Sequence, residues 1–136
     1  MKTFKFFTML TLTLVIAAAT AMAQTPEKIT VHAPFEFTVA DKTLPAGNYT
    51  ISPLSSNRLL IRSDDGREAL IATTFEVEAK ESPRPASLIF ERYGDRYFLS
   101  QVLVPSMGFG RELMRSRVEG RLAKTALSSR VPVPGR

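Results

Sequence analysis

The chain has 136 residues, of which 44% are hydrophobic and 23% charged, and it contains no cysteine. This composition is typical of a single globular domain and excludes a disordered or fibrous chain. The missing cysteines exclude disulfides, a cysteine-attached lipid anchor, thiolate catalysis and cysteine-ligated metal sites. Charge is uneven, because residues 24–110 carry 9 basic and 11 acidic side chains while residues 111–136 carry 7 basic and 2 acidic ones.

The first 23 residues have the organisation of a secretory signal peptide. Lys2 and Lys5 form a basic start, an apolar run follows, and Ala21-Met22-Ala23 provides the small residues of a cleavage site before Gln24. The alternative is an uncleaved anchor, because residues 4–23 approach the roughly 20 residues that a spanning helix needs. The pattern favours cleavage. It therefore predicts export to the periplasm or the extracellular space, with no transmembrane segment left after cleavage.

From residue 24 onward, short alternating runs are separated by turn residues, which is typical of antiparallel strands. Phe35, Phe37 and Val39 alternate with polar residues, as a strand with one buried face requires. Pro34 cannot donate to a ladder and so marks an edge or a bulge. Residues 44–47 read Leu-Pro-Ala-Gly, which is the type I turn preference, so a strand carrying Tyr49 and Ile51 should follow.

Asp65-Gly66 lies between two β-rich runs and predicts a hairpin with a two-residue primed turn. The resulting register pairs Ile61 with Leu70 and Leu59 with Ala72, which places apolar residues opposite each other. Residues 80–87 follow this hairpin. They contain two prolines and no periodicity, so we expect a loop.

A second hairpin is predicted in "LIFERYGDRYFLSQV", residues 88–102, with Gly94-Asp95 as its turn. Its register gives each long side chain a cross-strand neighbour: Tyr93 with Arg96, Arg92 with Tyr97, Glu91 with Phe98 and Phe90 with Leu99. The Arg92–Tyr97 pair fits a cation–π contact. A functional interpretation is that Tyr93, Arg96 and Tyr97 are displayed at the turn and contact a ligand.

Near the C-terminus, Ser116 precedes Glu119 by three residues, the spacing of a capping box, so a helix should begin near Arg117. An apolar stripe of Val118, Leu122 and Ala126 predicts that this helix lies against a sheet. The basic residues Arg117, Arg121 and Lys124 fall elsewhere on the helix and are candidates for contact with an anionic partner. Residues 128–136 are predicted to be a flexible tail.

The catalytic inventory is small. His32 is the single histidine, so a multi-histidine metal site is excluded, and no G-x-S-x-G nucleophile motif occurs. We therefore predict no catalytic, cofactor-binding or metal-binding residue and no cofactor. An alternative is a small hydrolase that acts on envelope glycans through paired carboxylates. Its candidate acids are Glu76, Glu78, Glu91 and Asp95.

Three segments taken together resemble a group of small exported acidobacterial proteins: "PFEFTVADKTLPAGNYTI", "LIFERYGDRYFLSQV" and "GRELMRSRVEGRLAK". The resemblance spans residues 33–124, nearly the whole mature domain. It carries over no catalytic or binding residues. Met114 stands where the group's G-R-E-L-P segment has proline, which bears on how sharply the chain turns before the helix.

These patterns predict a mainly β chain: an antiparallel β-sandwich or partly open β-barrel of about seven strands with a C-terminal amphipathic α-helix, in one domain over residues 24–127. The predicted function is a non-catalytic, envelope-associated or secreted binding module. Its partner would be an anionic envelope component or another envelope protein, and nucleic acid is not expected because no aromatic platform interleaves the arginines. A further alternative is a module that pairs an edge strand with a partner protein.

Overall fold

The computed structural model describes residues 28–78, 86–104 and 109–135. Within these ranges it has ten β-strands and one α-helix. The predicted signal peptide, residues 1–23, and residues 80–85 of the predicted loop at 80–87 lie outside the described residues, while Ser87, the last residue of that loop prediction, begins a strand. The elements are β1 (Ile29–Ala33), β2 (Phe37–Val39), β3 (Lys42–Leu44), β4 (Gly47–Ser55), β5 (Arg58–Ser63), β6 (Ala69–Glu78), β7 (Ser87–Tyr93), β8 (Arg96–Leu103), β9 (Phe109–Leu113), α1 (Arg117–Thr125) and β10 (Ser129–Pro134).

The strands form a mainly antiparallel, curled sheet. Its order is β1-β4-β5-β6-β9-β8, and β8 continues through β7 to β10, while the short β2-β3 hairpin joins β8 by a parallel bridge. The sheet is not closed, although its two ends meet at one bridge between Val31 and Gly135. The predicted mainly β, partly open architecture with one helix is therefore confirmed. Ten strands replace the expected seven, partly because Pro34 interrupts one predicted strand and leaves β1 and β2.

The interior is built from the alternating faces of these strands. Phe37 packs edge-to-face against Tyr49 and Phe90, with ring centroids 5.2 Å apart in each pair. Val39 is also buried, whereas Phe35 is only partly buried. The expected alternation of this segment and the expected burial of Tyr49 and Ile51 on β4 are both confirmed. This aromatic centre supplies the stability that disulfides cannot provide in a chain without cysteine.

The first predicted hairpin has the expected register but a different turn. Ile61 pairs with Leu70 and Leu59 pairs with Ala72. The backbone N–H of Gly66 donates to the Ser63 carbonyl at 3.0 Å, so the centre of the turn lies at residues 64–65 and not at 65–66. The Asp65 carboxylate explains the difference. It accepts hydrogen bonds from the Ser63 hydroxyl and the Arg67 backbone N–H, and so stabilises a wider loop.

The second predicted hairpin is confirmed in both turn and register. All four expected pairs form between β7 and β8. Gly94 has φ +64°, the left-handed conformation that a tight turn demands and that glycine adopts without strain. The Arg92 guanidinium lies 5.6 Å from the centre of the Tyr97 ring, as the cation–π interpretation predicts.

Helix α1 begins where the capping pattern predicts. The Ser116 hydroxyl accepts a hydrogen bond from the backbone N–H of Glu119 at 3.0 Å. The predicted apolar contact face is wrong, however. Val118 is 38% exposed, whereas Glu119 is 4% exposed and is the buried residue of the helix. The buried face of α1 is therefore centred on Glu119, while Leu122 of the predicted stripe is only partly buried and Ala126 is exposed.

The predicted flexible tail is also corrected, because Ser129–Pro134 forms β10 and pairs with β7. Val131 and Val133 face inward, while Pro132 and Pro134 are exposed. Proline is compatible with this position since β10 is an edge strand that needs ladder bonds on one side only. The alternation of valine and proline therefore indicates a strand. It was not recognised because proline lacks a backbone N–H donor and so argues against a strand.

Candidate functional site

Tyr93, the first residue of the predicted ligand-contacting turn, is part of the interior. Its side chain is 5% exposed. The ring packs edge-to-face on Phe98 with centroids 5.7 Å apart, and the hydroxyl lies 3.4 Å from Glu119 Oε1. The prediction that Tyr93 is displayed to a ligand is therefore wrong, because α1, which is distant in sequence, covers it.

Tyr97 is partly buried, and other side chains of the protein occupy its ring. The ring of Phe35 stacks on it at 3.7 Å between centroids, with the planes 11° apart. Arg92 lies over the same ring, and its Nε donates to the Gly94 carbonyl at 2.6 Å. Phe35 covers one face of the Tyr97 ring and leaves the other face for one further group. Arg92 occupies that position, which an aromatic or sugar ligand would need.

Of the three residues predicted to contact a ligand at this turn, Arg96 is the one that the structure places at the surface. It is exposed, and its guanidinium lies 5.5 Å from the centre of the Phe98 ring. Tyr93 and Phe98 thus connect this end of the hairpin to α1. The hairpin and α1 are therefore in contact through a buried tyrosine.

The Tyr93–Glu119 contact holds α1 in one orientation. Burial raises the pKa of the Glu119 carboxyl above its ordinary value, and Arg115 opposes this rise. Burial, together with the nearby Glu119 charge, also raises the pKa of the Tyr93 hydroxyl. A buried carboxyl with a perturbed pKa can mark a catalytic acid. Here the Glu119 carboxyl is buried on the inner face of α1, so we interpret it as a structural contact.

The solvent side of α1 carries the three predicted basic residues. Arg117, Arg121 and Lys124 are spaced by four and three positions, so they follow one face of a helix with 3.6 residues per turn. Glu119 lies on the opposite face, two positions after Arg117. All three basic side chains are exposed, and none forms an ion pair within the part of the chain that the structure describes. We call Arg117, Arg121 and Lys124 the basic stripe.

Not every basic residue of the C-terminal segment contributes to this surface. Arg111 on β9 is buried, and its guanidinium donates to the carbonyls of Ser55 and Ser56 at the β4–β5 turn. It braces that turn against the sheet. The charge asymmetry of the sequence therefore overstates the positive charge that is available to a partner.

The four carboxylates of the hydrolase alternative do not form a catalytic pair. Glu76 and Glu78 are exposed on β6. Glu91 pairs with Arg130 at 3.3 Å on the β7–β10 side. Asp95 is exposed at the hairpin turn, where it borders a shallow cavity of about 230 Å³. A glycosidase needs two acids that converge on one bond from about 5–10 Å apart. Glu76 and Glu78 share one exposed face of β6, but neither lines the cavity that Asp95 borders, and Glu91 is engaged by Arg130.

Two other polar features have structural explanations. His32 Nδ1 lies 2.8 Å from the side-chain oxygen of Asn48, its cross-strand neighbour on β4. A cavity of about 390 Å³ between the turns at 45–49 and 63–68 is lined partly by acids. Asp65 is engaged by Ser63, a hydrogen bond that lowers its pKa, and Glu68 pairs with Lys42 at 2.8 Å. Among the described residues, no group of three or more metal-ligating side chains comes together.

The sequence interpretation missed a groove beside β6. Its cavity, about 360 Å³, runs between the first half of β6, the β2–β3 turn and the segment that joins β9 to α1. Ile71 and Met114, each 55% exposed, contribute apolar surface. We call this cavity the β6 groove. The available signal was that apolar residues occupy consecutive positions at 69–72, so that both faces of this part of β6 are apolar, but this pattern does not tell which face is covered.

Comparison with models of known protein families, with curated proteins and with solved structures gave no match. The described helix is too short and too polar to cross a membrane.

Proposed function

We propose that this chain is a non-catalytic binding module, exported to the periplasm or secreted, whose basic stripe contacts an anionic component of the envelope. Export rests on the signal-peptide pattern of the first 23 residues. The observation that carries the binding proposal is the stripe itself. It presents three exposed cations on one helix face, with no ion-pair partner among the described residues.

The stripe is fixed in position, and this favours a binding role over a mobile, solvated surface. The Ser116 cap determines where α1 begins, and the buried Glu119–Tyr93 contact determines which face points outward. Asp41 on the β2–β3 turn accepts the backbone N–H of Arg117 at 3.4 Å, a third attachment. A preorganised set of cations loses less conformational entropy on binding than a flexible one.

An anionic partner follows from the charges. Three unpaired cations within about two helical turns produce a local positive potential that attracts phosphate or carboxylate groups and decays over a Debye length of about 10 Å at 0.1 M salt. Phospholipid headgroups and acidic polysaccharide share this chemistry.

The test is binding of the purified protein to vesicles that contain one-fifth anionic phospholipid and, separately, to an acidic polysaccharide, each over 20–200 mM salt. The triple variant Arg117→Gln/Arg121→Gln/Lys124→Gln should bind at least tenfold more weakly at low salt and show a shallower salt dependence. The two ligands distinguish a membrane surface from a glycan.

A matched control neutralises three exposed arginines of the β5–β6 hairpin: Arg58→Gln/Arg62→Gln/Arg67→Gln. It changes the net charge by the same amount and should retain most of the affinity. Equal loss in both triple variants would mean that net charge alone attracts the ligand. Absence of binding to either ligand at 20 mM salt would overturn the proposal.

A further inference from the structure

One edge of the first half of β6 has no neighbouring strand within the described part of the chain. β6 changes partner along its length, because residues 69–73 pair with β5 and residues 74–78 pair with β9. β9 ends at Leu113, and the last bond of its ladder runs from the Met114 N–H to the Thr73 carbonyl at 3.5 Å. The chain then turns away to form the Ser116 cap. Among the described residues, no strand continues beside residues 69–72.

The ladder geometry shows which backbone groups face this edge. Thr74 N–H donates to the Asn57 carbonyl and Ser63 N–H donates to the Glu68 carbonyl, so the even-numbered residues of β6 bond to β5. In an antiparallel pair the intervening residues direct their N–H and C=O groups to the other side. Ala69 and Ile71 therefore direct two donors and two acceptors to the side of β6 that lies away from β5, and Ile71 borders the β6 groove there.

The side chains of the same residues lie on the outer, exposed face. Ile71 is the apolar centre, and its cross-strand neighbour Leu60 is partly buried. Met114 borders the groove from the opposite side, next to Thr73. Every second side chain of a strand added at this edge would thus contact apolar surface, and the backbone N–H and C=O groups of that strand would bond to Ala69 and Ile71. This combination defines recognition by β-strand addition.

Four arginines surround the apolar centre. Arg58 and Arg62 are the cross-strand neighbours of Thr73 and Ala69 on β5. Arg115 and Arg117 line the groove at its α1 end. All four are exposed, and none forms an ion pair within the described ranges. Asp41 is the acid that lines the groove, and it is engaged by the Arg117 backbone. The rim is therefore complementary to carboxylates.

We propose that the β6 groove binds an extended segment of a partner protein in which apolar side chains alternate with acidic ones. The segment adds as a strand to residues 69–72. Its backbone bonds to Ala69 and Ile71, its apolar side chains cover Ile71 and Met114, and its carboxylates pair with the arginine rim. This site goes beyond the proposed function. It shares Arg117 with the basic stripe, but its edge and its apolar centre are separate.

Two other occupants fit the same surface less well. A second copy of this chain, paired across the edge, would bring the arginine rims of both copies together, and like charges in a close interface are unfavourable. An anionic membrane would satisfy the arginines, but it offers no ordered partners for the backbone groups of Ala69 and Ile71. Unpaired backbone groups that leave water are costly.

The probe is a fluorescent, blocked heptapeptide of alternating glutamate and valine, titrated with the purified full chain in 50 mM salt. We expect saturable binding. Two further versions of the peptide carry N-methyl groups on alternate residues, each along one of its two edges. The version methylated on the edge that faces β6 should lose at least tenfold in affinity, because N-methylation removes the backbone donors of that edge, and the other version should bind as the unmethylated peptide does. A lysine–valine peptide should not bind. Equal binding of the methylated peptides would overturn strand addition.

The matched protein variants are Ile71→Lys and Leu54→Lys, which place the same charge on two exposed apolar positions of the sheet. Ile71→Lys should weaken binding at least tenfold although it adds a cation near an acidic peptide, because a charged side chain protects an edge. Leu54→Lys should leave binding unchanged. Circular dichroism and thermal unfolding establish that both variants are folded.

Three outcomes would overturn this assignment. The first is that Ile71→Lys retains peptide binding, and the second is that anionic vesicles displace the peptide to the same extent in both variants. The third is that the protein sediments as a dimer that only Ile71→Lys dissociates. The last two would assign the groove to a membrane and to a second copy. Ile71→Lys separates this site from the proposed function, because it leaves Arg117, Arg121 and Lys124 in place and should retain binding to anionic vesicles or glycans.

Discussion

The β7–β8 hairpin turn and the first half of β6 differ in a way that reverses their appearance in the sequence. The hairpin turn concentrates tyrosines, arginines and acids, yet Tyr93 is buried and the Tyr97 ring is occupied by Phe35 and Arg92. β6 reads as an ordinary strand, yet Ile71 is exposed beside a backbone edge that no other described strand covers. A stretch of sequence rich in polar and aromatic side chains can therefore use those side chains for contacts inside the protein. A strand with an ordinary sequence can instead present backbone N–H and C=O groups that no other described strand pairs with.

The largest expected effect tests the burial half of this comparison. Tyr93→Ala should lower the free energy of unfolding by about 3–5 kcal/mol, because it removes a large buried ring and leaves Glu119 without its hydroxyl partner. Ile71→Ala, in the β6 groove, should change it by about 0.5 kcal/mol or less. Urea denaturation measures both. Similar losses in the two variants would break the comparison.

Ser116→Ala tests whether the helix cap holds the basic stripe. Loss of the hydroxyl acceptor at a helix N-terminus costs about 1 kcal/mol, measured by the same denaturation. The exposed Ser129, on edge strand β10, provides the control, since Ser129→Ala should have little effect. We also expect faster amide hydrogen exchange in the first turn of α1. An unchanged exchange rate there would mean that Tyr93–Glu119 alone positions the helix.

Thr74→Val tests the inward face of β6. The Thr74 hydroxyl is buried, and it has no hydrogen-bond partner among the described residues. Valine has nearly the same shape and no unsatisfied polar group, so the substitution should raise the free energy of unfolding by about 1 kcal/mol or slightly less. Thr73→Val, on the exposed face, is the matched control. A lower stability of Thr74→Val would point to a buried water that the hydroxyl binds.

Glu119→Gln tests the cost of the buried carboxylate. Since burial raises its pKa in the folded protein, ionised Glu119 opposes folding at neutral pH. This penalty disappears as pH falls through the raised folded pKa toward the ordinary value. Glu119→Gln should therefore be more stable than the parent at pH 7, by about 0.5 kcal/mol, and the difference should shrink toward pH 4. The exposed Glu76→Gln should show no such trend. A difference that grows as pH falls would contradict this assignment.

Local signals in the sequence were sufficient for much of the fold. The Gly94-Asp95 hairpin, its four cross-strand pairs and the Ser116 cap were all predicted, because a turn or a cap depends on residues within a few positions. The same signals failed where a distant segment intervenes. α1 buries Tyr93, and β7 pairs with the proline-rich end of the chain as β10.

The candidate sites divide in the same way. Arg96, Arg117, Arg121 and Lys124 were predicted at the surface and lie there, since long charged side chains stay in water unless they are paired. The β6 groove was not predicted. A free strand edge depends on where the neighbouring strand ends, and β9 ends at Leu113 because the chain must turn into the Ser116 cap.

The sequence by itself determined the β-rich class, the hairpin registers, the helix start and the exposed cations, because period-two alternation, turn glycines and capping residues act over short distances. The tertiary structure alone decided which face of α1 is buried, that the end of the chain is a strand, and that β6 exposes part of its edge. Those outcomes depend on which distant strands pair and where each pairing stops. A local sequence pattern does not determine how far two strands from different parts of the chain stay paired.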